Sequence, residues 1–319
     1  MSKRKYRVRN WGNYNKSLVT RGDLTIWFSK EMLNKWEFTG QRKPGGIKKF
    51  SDIAIQTSLI VKELFNMPYR MCEGFIHSLL QLFGGTQLSS PSYSTLCRRA
   101  KTIAFKLTNR HCSSTKLNIL IDSTGFRIYG EGEWQRKKHK KDKQRDWVKV
   151  HIAIDDKAQK ILSMHVSGGR GYDANYFAPL VDDINADVDS IYADGAYDKR
   201  KCYLKSAEVN ANLIVPPQHK ACEQKRNKNY ENSPAYDIRD RAIRYIAEFS
   251  DEETGRTAWK KASGYHRRSL AETAMFRLKS VFGDVLRCKR FENQRIQLLT
   301  RCYILNKMTG LGMPESVPV

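Results

Sequence analysis

Acidic residues are the scarce class in this chain: 33 Asp+Glu stand against 57 Lys+Arg, a formal charge of +24. A surplus of that size favours a phosphate polyanion bound through counterion release. Long apolar runs are missing too. No span approaches the ~20 residues needed to cross a bilayer, which excludes a membrane-spanning helix. The opening Met1-Ser2-Lys3-Arg4-Lys5-Tyr6-Arg7 is basic with no apolar core behind it, which does not fit a secretory signal. Cysteine is neither frequent nor patterned: the seven, at 72, 97, 112, 202, 222, 288 and 302, are odd in number and none forms a Cys-x-x-Cys pair. A zinc ribbon or disulfide framework is therefore not expected, and a reducing cytoplasm is the simplest home. Repeats and low-complexity tracts are absent as well. With 40% hydrophobic residues, 319 residues are enough for about two domains.

The charge is unevenly spread. Residues 1–50 hold 13 basic and 3 acidic side chains, and residues 136–149 hold 8 and 2, whereas residues 171–198 hold seven Asp and no Lys or Arg. The acidic island surrounds Asp194; Asp182, Asp183, Asp187 and Asp189 within it read as a solvated helix face. The basic run after Asp122 reads as a solvated loop or as a DNA-facing loop beside a site.

Among the acids, three stand out. Asp122 ends the run Leu117-Asn118-Ile119-Leu120-Ile121, and Asp194 ends Ile191-Tyr192-Ala193; both runs suit buried strands leading into loops. Further on, Gly264-Tyr265-His266-Arg267-Arg268-Ser269-Leu270-Ala271-Glu272 leads to Lys279. On one helix with Tyr265 at zero, Arg268 falls near −60°, Glu272 near −20° and Lys279 near −40°. Leu270, Ala271, Ala274, Met275, Leu278, Val281 and Phe282 would form the opposite, packing face. A carboxylate between two cations and a phenol suits an acid that holds a metal while its neighbours grip a polyanion. Oxygen donors of this kind suit Mg²⁺ or Mn²⁺, and two such ions can hold the attacking and leaving oxygens of a phosphodiester.

Plainer readings exist for each. Ser269-x-x-Glu272 fits a capping box, which would start the helix at Ser269 and leave Tyr265 and Arg268 off it. Asp122 and Asp194 fit turn residues after strands, as Asp155 and Asp156 do before Lys157-Ala158-Gln159-Lys160.

At these residues the chain resembles the DDE transposases of bacterial insertion sequences. Asp122, Asp194 and Glu272 are similar to that family's catalytic triad, and Tyr265-x2-Arg268-x3-Glu272-x6-Lys279 to its Tyr-Arg-Glu-Lys signature. Asp194-Gly195-Ala196-Tyr197-Asp198 is similar to its second-aspartate motif. Tyr129-Gly130-Glu131-Gly132-Glu133-Trp134 points to the branch numbered five among insertion sequences. The resemblance covers roughly 117–310, with a weaker match before it. It implies a metal-dependent enzyme, with two Mg²⁺ or Mn²⁺ ions on the triad, that cuts inverted-repeat ends and joins the 3′-hydroxyl to target DNA. It also implies Tyr265, Arg268 and Lys279 on the DNA backbone, homo-oligomers on paired ends, and a bacterial, nucleoid-associated location. An RNase H-like nuclease that cuts without joining, and a DNA-binding derivative without catalysis, are the alternatives.

The expected architecture is α/β: residues 1–115 a helical, helix-turn-helix-like DNA-binding region, and 116–319 an RNase H-like catalytic domain. In the first, helices run to Pro68, from 69 to 83 with Gly84-Gly85 as terminator, and from 93 to 107 after Ser92, exposing Arg98, Arg99 and Lys101 to DNA. The plainer reading is a helical cap. In the second, strands fall at 117–122, 126–129, 147–154, 161–166, 190–194 and 212–215, with helices near 175–185 and 199–209. The first and fourth strands of the RNase H order would lie side by side and bring Asp122 to Asp194. Residues 218–262, with Lys225, Arg226, Lys228 and a helix around 236–249, form an inserted region, and a helix over 293–311 would close the core.

Overall fold

The alternation that makes Leu117-Asn118-Ile119-Leu120-Ile121 a strand continues well past Asp122. A computed structural model of the chain describes residues 6–41, 48–83, 87–107, 116–130, 147–223 and 234–319. Gly84-Gly85, the basic run 136–146, Glu131 to Trp134, and Lys225, Arg226 and Lys228 lie outside the described residues. The chain divides into two compact units, Met1–Lys106 with Leu286–Val319, and Leu107–Val285.

The first unit is mainly helical. Strand β1 (Tyr6–Val8) pairs antiparallel with Ser316–Pro318 (β8). Helices span Asp52–Leu64, capped by Ser51, then Tyr69–Leu82 and Tyr93–Ala100, the last capped by Ser92. Phe291–Leu311 also belongs here, packing against Asp52–Leu64. Its buried Ile296, Leu298, Cys302, Ile304 and Leu305 share this unit with Ile55, Leu59, Ile76, Leu80 and Leu96. Inside the unit Glu63 holds Arg301 at 2.9 Å, Lys62 at 2.6 Å and the Gln297 amide at 3.1 Å. Buried charges need such partners. The Tyr93 helix ends at Ala100 rather than near 107, because Ile103 and Phe105 turn inward at the two-residue spacing of extended chain.

The second unit is built on a mixed sheet. Strand β2 (Leu117–Ile128) is one continuous strand where two were expected, since Ser123, Thr124 and Gly125 stay paired with β3 (Trp147–Asp155). β3 turns through residues 156–160 into antiparallel β4 (Ile161–Gly168); Asp155 Oδ1 accepts the Lys157 and Ala158 amides, the hairpin role expected of it. Strands β5 (Val188–Tyr192) and β6 (Asn212–Ile214) add in parallel, giving the order β4-β3-β2-β5-β6. The chain returns to the first unit within the short strand β7 (Val285–Leu286).

This mixed α/β arrangement is compatible with the expected RNase H-like fold. One sheet face, carrying Ile119, Ile121 and Ile191, packs on Phe177–Asp182 and Arg200–Glu208. Central strands buried on both faces need a second cover. The Ser269–Phe282 helix supplies it against β2 through Ala271, Ala274, Met275, Leu278 and Phe282. Val281, expected to pack, is 45% exposed. Beyond β6, helices Asp237–Ala247 and Glu252–Ala262 pair with each other, the second not foreseen. No described helix is long and apolar enough to cross a membrane.

Candidate active site

The register between β2 and β5 places the first two acids. Leu120 pairs with Tyr192 in parallel, so Asp122 and Asp194 each lie two residues beyond a paired position, on the same side of adjacent strands. Asp194 caps the Gly195–Tyr197 turn, its Oδ1 accepting the Ala196 N–H at 2.9 Å. By strand alternation Asp122 shares the face of Leu120, the face covered by the Ser269–Phe282 helix.

That helix begins at Ser269; Tyr265–Arg268 forms a 3₁₀ turn before it. The single-helix expectation is corrected accordingly, the left-handed Gly264 (φ 66°) forcing a tighter entry. The capping box is not formed either: the Ser269 hydroxyl donates to the His266 carbonyl at 2.8 Å, and the helix start has no side-chain cap. Glu272 instead accepts from Arg268 Nη2, while Arg268 Nη1 donates to Asp122 Oδ2 at 3.0 Å. One guanidinium therefore spans the first and third acids. Asp122 Oδ1 accepts the Ser123 N–H at 2.8 Å.

Burial pushes the Asp122 carboxyl above the usual aspartate range; Asp194 and Glu272 push the same way, against the Ser123 N–H and Arg268. Burial works against the Arg268 charge, but Tyr265, Asp122, Glu272 and Asp194 outweigh it and raise its pKa. Tyr265 lies with its ring 5.9 Å from the Arg268 guanidinium and 5.9 Å from the Trp259 ring. Its phenol is raised first by burial and also by Asp194 and Asp122.

Lys279 stands apart from this cluster. Its ammonium lies 5.5 Å from the Phe126 ring centre, two helical turns beyond Glu272. In the first unit Arg98 and Lys101 are exposed. Arg99 instead turns onto Asp52 and donates to the Phe50 carbonyl at 3.1 Å.

Two acids near the site have roles that residue order did not show. Asp198 is buried and holds Arg239 at 2.8 Å, the Tyr203 hydroxyl at 2.9 Å and the Gln218 N–H at 2.9 Å, fastening the Asp237–Ala247 helix to the sheet. Asp173 Oδ1 accepts from Ser123 and Lys149 on the opposite sheet face from Asp122, with His151 Nδ1 3.5 Å away. Lys149 and His151, polar residues at alternate positions between the apolar residues of β3, were the signal available for it.

His151 is fully buried, stacked on Tyr176 at 4.2 Å between ring centres, with Nε2 2.9 Å from Ser167 Oγ. Burial holds its pKa down to about 4, against the pull of Asp173. An unfolded histidine takes up its proton near pH 6.5, so the unfolded state binds more protons below that value and stability falls as pH drops from 6.5 towards 4. The whole effect reaches at most about 3 kcal/mol. Thermal midpoints measured across that window should fall more steeply for the wild type than for His151→Gln; equal slopes would refute this account.

Two family models, both described as a transposase DDE domain, match residues 19–131 and 113–307.

Proposed function

Because this chain belongs to the transposase DDE-domain family, we propose that it is the DNA transposase of a bacterial insertion sequence, of the Tyr-Arg-Glu-Lys group and nearest the branch numbered five. It binds the inverted-repeat ends of its element, hydrolyses the phosphodiester there and joins the freed 3′-hydroxyl to target DNA. The observation that carries this reading is Arg268 bridging Asp122 and Glu272 on the sheet face where the parallel register sets Asp194.

Members of this family generally use divalent metal ions. The donor chemistry suits one: three carboxylates offer only oxygen, the set that Mg²⁺ and Mn²⁺ take. Two of the three already share a cation, the Arg268 guanidinium. Among the described residues no three acidic, histidine or cysteine side chains are gathered tightly enough to enclose an ion. Loading therefore requires Arg268 to leave the gap between Asp122 and Glu272. Asp122, Asp194 and Glu272 would hold two ions, which lower the pKa of the attacking water and stabilise the leaving oxygen.

The protein's own groups do the rest. Arg268, once moved from the acids, grips a phosphate of the transposon end through its two-pronged guanidinium. Tyr265 keeps Arg268 in place by its ring and lines the approach of the DNA backbone. Lys279 supplies a point charge for a phosphate further along the helix. Arg98 and Lys101 at the end of the Tyr93–Ala100 helix meet DNA in the first unit, whereas Arg99 is engaged by Asp52. Homo-oligomers assemble on paired ends.

The test uses end-labelled duplex carrying the inverted repeats that flank the coding segment, incubated with Mg²⁺ or Mn²⁺ beside a target plasmid. Cleavage followed by integration is expected. Cleavage without integration would make the protein a nuclease, and binding without cleavage a regulator.

A further inference from the structure

Behind Asp122, on the sheet face turned away from Arg268 and Glu272, a second polar group gathers around Asp173. Asp173 opens the short turn Asp173–Asn175 that follows β4. Its Oδ1 accepts the Ser123 hydroxyl at 3.0 Å and the Lys149 ammonium at 2.6 Å, and His151 Nδ1 lies 3.5 Å away. Ser123 and His151 are directly opposed across the β2–β3 ladder, and Lys149 opposes Gly125 two positions further on. Their side chains therefore share one face, while Asp122, next to Ser123, presents to the other.

Resting on the function proposed above, we infer that Asp173 is a positioning residue for Asp122, acting through Ser123. The connection is short and fully hydrogen-bonded: the Ser123 N–H donates to Asp122 Oδ1 at 2.8 Å, and its hydroxyl is held by Asp173. Fixing the Ser123 side chain fixes the peptide whose N–H orients the reacting carboxylate. Lys149 neutralises Asp173, so this brace adds no net charge behind three acids that already repel one another. His151, wedged between Tyr176 and Ser167, closes the cluster from the β3 side. The buried Tyr197 phenol, raised first by burial, feels the charges of Asp173, Asp194 and Asp122 together, which places Asp173 in the electrostatic neighbourhood of the site. Such outer-shell partners typically set 10–100-fold in activity or metal affinity.

Ser123→Ala, Ser123→Thr, Asp173→Asn and the double variant Ser123→Ala/Asp173→Asn are compared for single-turnover cleavage, for DNA affinity without metal, and for thermal midpoint. Ser123→Ala and Asp173→Asn should each lower the cleavage rate by roughly 10–100-fold with DNA affinity within twofold of wild type. Ser123→Thr keeps the hydroxyl and should restore most of the rate. The double variant should be no slower than the slower single one, as for residues acting in series. The inference is overturned if Ser123→Ala cleaves at the wild-type rate, if the two losses multiply, or if the rate of every variant merely follows its thermal midpoint. Asp122→Ala is the control: cleavage surviving in that variant would defeat the proposed function itself, whereas its loss beside an unimpaired Ser123→Ala defeats only the brace.

Discussion

Asp122→Ala should abolish cleavage of the transposon ends, a loss of roughly 10³-fold or more on the scale of removing a preorganised charge from a reaction centre. The size of the effect follows from where this carboxylate stands. It is the member that meets both others: Asp194 on the neighbouring strand by register, and Glu272 through the guanidinium they share. Its side chain is only 13% exposed, so its charge acts in a poorly screened setting. Alanine removes a carboxylate that burial penalises, so the fold should not suffer, and an unchanged thermal midpoint would separate lost chemistry from lost structure. A rate within tenfold of wild type would reject the assignment of Asp122.

The second large effect is expected from Arg268→Lys. Lysine keeps the charge, so a purely electrostatic role predicts near-normal joining of ends to target. Geometry predicts otherwise. Arg268 presents Nη1 and Nη2 as two separate prongs, set here on Asp122 and Glu272, and a single ammonium cannot grip a phosphate in that two-pronged way. We expect joining to fall by roughly 10–100-fold, the cost of losing one charge-assisted hydrogen bond of about 1.5–3 kcal/mol to a phosphate. The neighbouring Arg267 makes an internal comparison, since it pairs with Asp156 at 3.0 Å and is 48% exposed. Arg267→Lys should change joining little; equal losses in the two lysine variants would show that Arg268 has no special geometry.

Much of this arrangement could be read from residue order alone, and the failures have definite causes. Two apolar runs ending in Asp122 and Asp194 sufficed to foresee strands, because buried parallel strands announce themselves by continuous hydrophobicity, whereas their adjacency followed only from the expected RNase H-like order. The break at Ser123-Thr124-Gly125 was misread as a turn because local composition cannot show that β3 pairs along the whole stretch. A uniform 100° step put Tyr265 and Arg268 on the helix, but the chain enters through a tighter turn after Gly264. Arg268 still reaches Glu272 four residues on, so the expected neighbours meet for a different geometric reason. Apolar spacing in Phe291–Leu311 identifies the helix but carries no address; its packing on Asp52–Leu64 is visible only in the folded unit. Asp173 is one of the seven acids counted around Asp194, and residue order gives it no role of its own. Its importance depends on Lys149 and Ser123 arriving from other strands, which no linear pattern records.

The pairing of Tyr6–Val8 with Ser316–Pro318 has a bearing on synthesis. A ribosome delivers five of the six strands of the sheet within the Leu107–Val285 segment, only β7 straddling its end, so that unit can settle while translation continues. The helical unit instead waits for Phe291–Leu311 and the closing strand, and its N-terminal helices spend most of elongation with their inner faces uncovered.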